Sequence, residues 1–358
     1  MLLEARRVAA DIGRLLGIEV DAATILTGRV ALLRLTSRGR ISAGGATRLL
    51  ATVDGWCAVA LPRDDDVAAL PALMELDAVL GDPWAALSDW AATRSNAEVL
   101  ARTRLLDIAA AALGEAAAAP PTVRRCGTSV GPRRADGLLV ADLSSLWAGP
   151  LCGQLLARAG AVVVKVESPS RPDGTRRGEP VFFDWMNSGK LSYCVDFDSD
   201  TDAVRRLLNA ADIVIEGSRA AALRRRGLSA EDLPGRPGRV WLRINGYRDQ
   251  PDRPAFGDDA AVAGGLVGDG PVFLGDAIAD PLSGLEAARA VGESLRRGGG
   301  EVIDVSMAQV AARYAALMQS PGCDVPPALP PTAPPASPLG ADNAAVALMV
   351  AERLCAPC

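Results

Sequence analysis

Histidine is absent from all 358 residues, so proton transfer near neutrality falls to carboxylates, cysteines, tyrosines, lysines or water. That absence excludes Ser-His-Asp and Cys-His nucleophile pairs within this chain, and with them His-liganded zinc and HExxH chemistry. Covalent catalysis by a carboxylate needs no histidine. Asp280 precedes Pro281 and the run 282–290, a good helix start with Asp as N-cap and Pro at N1. Read from these residues alone, Asp280 is a helix cap. Of 38 Lys+Arg only Lys165 and Lys190 are lysines. Lys165 ends an apolar strand just before Glu167, where pairing inside the fold and ligand contact are both open. Lys190 is either an exposed loop lysine or a group that meets an anion. Arg224-Arg225-Arg226 is by default a solvated helix face, but an anionic ligand gives it a use. The seven cysteines are scattered, and the CxxC of Cys355 and Cys358 has no second pair. They read as reduced thiols of a cytoplasmic protein, with no metal site.

The elements that must hold these groups fall into two patterns. Residues 1–17 have an amphipathic helical spacing in Leu3, Val8, Ile12, Leu15 and Leu16. Two apolar runs around Asp54-Gly55, within 41–61, predict a β-hairpin. Residues 64–80, 84–93 and 97–113 predict helices. Residues 1–118 thus form a small α+β unit, and the Ala/Pro/Arg/Gly-rich stretch 119–134 reads as a linker. Strands at 138–143 and 161–167 flank a helix at 151–159. Further strands follow at 191–197, 213–216 and 240–245, with 303–305 as another. Helices alternate with them at 201–209, opened by an Asp200 cap, and at 306–318. Near-continuous apolar strands between helices predict a doubly wound, Rossmann-like α/β domain over 135–320. Ser145-Leu146-Trp147-Ala148-Gly149-Pro150 stands where a GxGxxG fingerprint would be, so a plain dinucleotide-binding reading fails. Residues 321–358 form a Pro-rich strap and a closing helix.

A hydrophobic content of 49% and a charged content of 23% suit a globular enzyme. The net charge of −5 argues mildly against nucleic acid as a partner, a local basic groove aside. The N-terminal stretch carries charges inside its apolar run and is no signal peptide, and no run reaches membrane-span length.

Read together, several segments resemble the family III CoA-transferases, which include carnitine, formyl and bile-acid CoA-transferases and the related acyl-CoA racemases. The resemblance runs from Val140-Ala141-Asp142-Leu143 through Trp147-Ala148-Gly149-Pro150 to Val164-Lys165-Val166-Glu167. It continues in Asn187-Ser188-Gly189-Lys190, Val195-Asp196, Ala211-Asp212-Ile213-Val214-Ile215-Glu216, Ile244-Asn245-Gly246-Tyr247 and Asp280-Pro281-Leu282-Ser283-Gly284. The resemblance implies a CoA-transferase that moves CoA from an acyl-CoA to a carboxylic acid, with Asp280 as nucleophile and no metal. It places Trp147, Ala148, Lys190, Val195, Asp196, Phe197, Asp198, Gly217, Ser218 and Arg225 against coenzyme A, and implies a homodimer. The family's small domain normally follows the large one. Here segments resembling it, 53–60 and 90–98, come first, which implies a permuted order. Departures stand at Leu191, Gly217-Ser218 and Ser168, and at Phe256-Gly257-Asp258-Asp259, where the racemase branch carries its catalytic histidine. A racemase or isomerase is disfavoured by that missing group, and a non-catalytic CoA-binding subunit is the alternative of a different class.

Overall fold

A computed structural model describes residues 1–79, 81–217, 220–317 and 326–355. Helix α1 (Leu2–Leu16) turns Ala5, Val8, Ala9, Ile12 and Leu16 inward with Leu15 partly buried beside them, while Leu3, expected on the same face, is exposed near the start of the helix. Helix α2 (Ala22–Leu33), not anticipated from the sequence, opens on Asp21, whose carboxylate accepts from the N–H groups of Ala23 and Thr24. Strands β1 (Thr47–Thr52) and β2 (Gly55–Ala60) form the expected hairpin, with Thr52 opposite Gly55. Helices α3 (Asp64–Ala68) and α4 (Leu70–Met74) replace the single helix expected from 64 onward. After α5 (Pro83–Ala91), helix α6 (Asn96–Leu105) starts on a capping box, Ser95 with Glu98.

The helix expected to continue to 113 ends at Leu105. Four alanines instead make strand β3 (Ala109–Ala112), which pairs antiparallel with β2. Alanine favours helix, but the open edge of β2 supplies the hydrogen bonds that decide the matter. The stretch read as a linker likewise contains a strand, β4 (Thr122–Arg125).

The α/β unit follows as β5 (Leu139–Asp142), α7 (Ala148–Arg158), β6 (Val162–Glu167), α8 (Pro180–Asn187), β7 (Leu191–Cys194), α9 (Thr201–Ala210) and β8 (Ile213–Glu216). It continues as α10 (Ala220–Arg224), β9 (Val240–Asn245), α11 (Gly257–Ala263), the small hairpin β10 (Val267–Gly268) and β11 (Val272–Phe273), and α12 (Ala279–Arg296). It closes with β12 (Glu301–Ser306), α13 (Met307–Ala316) and α14 (Asn343–Cys355). Asp200 stands at the N-cap of α9 as expected, but its side chain makes no capping hydrogen bond. Met318 of the expected helix at 306–318, residues 319 and 320 of the expected α/β domain, residues 321–325 of the strap, and Cys358 lie outside the described residues.

The seven-stranded sheet has the order β4-β12-β9-β8-β5-β6-β7. All neighbours pair parallel except β4, which runs antiparallel to β12. From β5 the chain winds outward through β6 and β7, then returns to β8 on the other side. The loops after β5 and β8 therefore diverge at a switch point, where such sheets bind ligands. Alternate strand residues feed two cores. Val140, Val163, Ile213 and Leu242 pack under α1, α7 and α12, while Leu139, Val164, Val214 and Trp241 pack under α9 and α14. The edge at β7 is covered: Ser192 N–H donates to Asp342 Oδ2 (2.7 Å) and Cys194 N–H to Asn343 Oδ1 (2.8 Å). The three-stranded sheet meets the large unit through α11, where Leu49 and Ala58 pack on Val262 and Phe273.

Candidate active site

Asp280 lies in the first turn of α12 but does not cap it. Ile278 holds the N-cap position and Asp280 is the second helical residue, its N–H bonded to Ala277 O at 2.9 Å. Its carboxylate is thus free of the capping duty the sequence allowed it. Ala277 just ahead adopts a left-handed φ of 42°, held by its N–H donating to Asp258 Oδ1 at 2.9 Å.

Two glycines make the surroundings possible. A Cβ on Gly257 would come within 2.3 Å of Asp280 Oδ2 and 2.4 Å of Ala277 O, so only glycine fits at the start of α11. A Cβ on Gly284, one turn beyond Asp280, would meet Ala148 O at 2.8 Å and Leu151 Cδ2 at 2.7 Å. That bare backbone lets α12 approach α7 until the Ala148 N–H donates to the Asp280 carboxylate. Burial pushes the Asp280 carboxyl up to about 7, the Asp258 charge adds to this, and Arg29 and the Ala148 N–H act against it.

Asp258 accepts from Thr47 Oγ1 (3.1 Å) on β1, and its own carboxyl is raised by burial and by Asp276. Asp276 is buried and pairs with Arg29 of α2 at 2.5 Å. The Arg29 guanidinium also lies over the rings of Trp147 (5.7 Å) and Phe182 (5.2 Å), which meet edge to face at 5.4 Å. Asp259 is buried and accepts from the Phe256 N–H at 2.7 Å, and burial pushes its carboxyl up to about 8.

The loop between β5 and α7 is set by the two lysines. Lys165 Nζ donates to Ser144 O (2.5 Å) and Asp173 Oδ2 (2.7 Å), and Asp173 in turn accepts from the Leu146 N–H at 3.1 Å. Lys190 Nζ donates to Asp142 Oδ2 (2.9 Å), Pro150 O (2.9 Å) and Asn187 Oδ1 (3.1 Å) in the interior. The expectation that Lys190 meets a ligand phosphate is therefore corrected: all three ammonium donors are used and the side chain is buried. Trp147 and Ala148 follow this loop, both buried, and Trp147 Nε1 has no hydrogen-bond partner among the described residues.

The other expected contacts stand at the same edge of the sheet, after β7 and β8. Val195 is packed in the core, so its side chain is withdrawn from any ligand. Asp196 accepts from the N–H groups of Asp198 (2.8 Å) and Ser199 (3.0 Å), shaping the turn. Phe197 leans on the core, and Asp198 is exposed and pairs with Arg226 at 2.7 Å. Gly217 faces the β5 loop: a Cβ there would lie 2.9 Å from Ser144 Cβ. Arg225 is exposed, and Ser218 lies outside the described residues. Beside Gly217, a cavity of about 190 Å³ opens between the ends of β8, β9 and β12, lined by Glu216, Arg224, Arg243, Asn245, Arg248 and Asp304 among others.

The profile of CoA-transferase family III matches residues 135–332, more than half the chain. The protein belongs to CoA-transferase family III. It is 31% identical over 212 residues to the succinyl-CoA--D-citramalate CoA-transferase of Chloroflexus aurantiacus, covering 53% of this chain and 52% of that protein. It is 31% identical over 210 residues to the succinate--glutarate CoA-transferase of Agrobacterium fabrum, covering 51% and 52%. The crystal structure of Rv3272 from Mycobacterium tuberculosis matches with a TM-score of 0.46 at 28% identity, over 53% of this chain and 58% of that one. The chain spans about half the length of the curated relatives it matches.

In this family III member, Arg29 and Asp276 escaped sequence reasoning. They lie 247 positions apart, and no local spacing pairs them. Asp258 was visible only as part of the divergent Phe256–Asp259 segment. Among the described residues, no group of three or more His, Cys, Asp or Glu is arranged to hold a metal ion, and no helix is long and apolar enough to cross a membrane.

Proposed function

We propose that this protein is a CoA-transferase that moves CoA between an acyl-CoA and a carboxylic acid through covalent intermediates on Asp280. The observation that carries this reading is a partly buried carboxyl in the first turn of α12, approached through Gly257 and held by the Ala148 N–H. A carboxylate Oδ of Asp280 adds to the thioester carbonyl, the C–S bond breaks, and CoA leaves as thiolate. The thiolate then attacks the Asp280 carbonyl of the mixed anhydride, releases the first carboxylate and leaves an aspartyl-CoA thioester. The acceptor carboxylate repeats these steps in reverse, so no net proton or electron is consumed. Backbone N–H groups supply the oxyanion contacts, and no histidine is required.

Arg224, Arg243 and Arg248 around the cavity beside Gly217 support the binding of the anionic part of coenzyme A. The small unit placed ahead of the α/β unit we read as a permutation of the family order, acting as a cytoplasmic homodimer. Succinyl-CoA heads the donor panel, since two of the matched relatives are named for succinyl-CoA or succinate.

The test is mass spectrometry after incubation with acyl-CoA, with and without hydroxylamine. An adduct on Asp280 and loss of transfer in Asp280→Ala, with CoA binding kept, is the expected result; turnover retained in Asp280→Ala would sink the assignment. CoA binding with neither adduct nor exchange would indicate a non-catalytic subunit, and deuterium wash-in without transfer a racemase.

A further inference from the structure

The reacting corner is crowded with acids. Asp258 reaches it from α11, Asp276 from the loop before α12, and Asp280 from α12 itself. Among the described residues, Arg29 is the cation paired into this corner, and it arrives from α2, far away in sequence and outside the α/β unit. Three contacts fix it. Asp276 accepts from its Nη1 at 2.5 Å, and the guanidinium carbon lies over the rings of Trp147 and Phe182. Trp147 directly precedes Ala148, whose N–H donates to Asp280. Asp276 stands four residues before Asp280, in the loop that leads into α12. The same guanidinium therefore touches the neighbour of the carboxylate's hydrogen-bond donor and a residue of the segment that leads into its helix. Helix α2 is itself pressed into place, since a Cβ on Gly28 would meet the Trp185 ring at 2.6 Å.

We propose that Arg29 is a positioning residue for Asp280, supplying the fixed positive charge that keeps this carboxyl available as a carboxylate within an acidic, partly buried corner. The inference rests on Asp280 being the nucleophile. A guanidinium suits the task because it stays charged at all working pH values and stacks on aromatic faces. Its pairing with the buried Asp276 holds it in place without cancelling its field at Asp280, where Arg29 acts more strongly than Asp276. Among the described residues, the charged groups that act most on Asp280 are Asp258, Arg29 and Asp276, with the Ala148 N–H as the donor from α7.

The test reads Asp280 directly by carbon-13 NMR of the full chain labelled at the aspartate carboxyl, with the resonance assigned by its loss in Asp280→Asn. Arg29→Met keeps the stem that packs on Trp147 but removes the charge. The titration midpoint of Asp280 is expected to rise by about one unit or more, and to stay near the native value in Arg29→Lys. Should Arg29→Met not fold, Arg29→Met with Asp276→Asn removes both charges of the pair and leaves no buried carboxylate without its partner, and it is expected to move the midpoint upward by a smaller amount. An unchanged midpoint in the charge-removing variant overturns the proposal. Because this readout needs no turnover, it is separate from the fate of the nucleophile assignment: transfer retained in Asp280→Ala would remove the nucleophile while leaving the measured coupling intact.

Discussion

Lys190 and Asp142 show how a residue that looks like a ligand contact can instead be part of the frame. Both are buried, and the two lysines Lys190 and Lys165 hold the Asp142 carboxyl below the usual carboxylate range, despite the opposing effect of burial. Asp142 also accepts from the Ser144 N–H at 3.1 Å, so the pair anchors the start of the loop that ends in Trp147. Removing one partner of such a pair leaves an uncompensated interior charge. Lys190→Met is therefore expected to lose about 3–5 kcal/mol of stability, read from the urea unfolding midpoint. A loss below about 1 kcal/mol would place the ammonium in solvent and restore the phosphate-contact reading. The sequence showed that only two lysines survive among so many arginines; it could not show that both are turned inward, because that depends on Asp142 and Asp173 meeting them across the sheet.

At the scale of elements, the parallel strands were the most legible part. The runs at 139–142, 162–167, 213–216 and 240–245 are apolar because helices cover both faces, and a continuous apolar run survives any error in register. Strand β3 was misread because Ala109 to Ala112 carry a helical preference that the edge of β2 overrides. Helix α2 escaped notice since its value lies in seating Gly28 against Trp185, a contact no local pattern announces. The Asp280 segment was legible through its family resemblance, but the approach of α7 to α12 that gives Asp280 its N–H donor was not. Gly284 is the residue on which that approach depends. Gly284→Val drives a branched side chain into Ala148 O and Leu151, where the contacts are backbone and packed core. Overpacking of this kind costs about 1–3 kcal/mol. Transfer should fall further than the stability loss accounts for, because the helices must part and take the Ala148 N–H away from Asp280. Equal activity per folded molecule in this variant, measured after correcting for the folded fraction, would show that the helix contact does not set the site.

The whole molecule sets two electrostatic populations against each other. Asp142 and Asp173 lie below their ordinary range, held there by buried ammonium groups, so their contribution is present above the unfolded-state value and is lost only in strong acid. Asp258, Asp259, Asp276 and Asp280 lie above their ordinary range because burial penalises the charge, and neighbouring carboxylates add to this for Asp258, Asp259 and Asp280. The sign for this second group is the reverse. With Asp280 raised to about 7 in the folded state, the folded chain holds a proton that the unfolded chain, titrating near about 3.9, has already lost. Stability contributed by that proton is complete below the unfolded value and is lost as pH climbs through about 7. These carboxyls gather where α11, α12, α2 and the β1 strand converge, so the strain of charging them falls on the junction between the small sheet and the α/β unit. Asp280→Asn removes one ionisation there while keeping an oxygen to accept the Ala148 N–H. The variant should be more stable than the native chain, and its advantage should be larger at about pH 8 than at about pH 5, by on the order of 1 kcal/mol or more. Urea unfolding at the two pH values measures this. An advantage equal at both, or larger in acid, would mean that Asp280 titrates as an ordinary exposed carboxyl, and the case for a tuned nucleophile at this corner would lose its electrostatic basis.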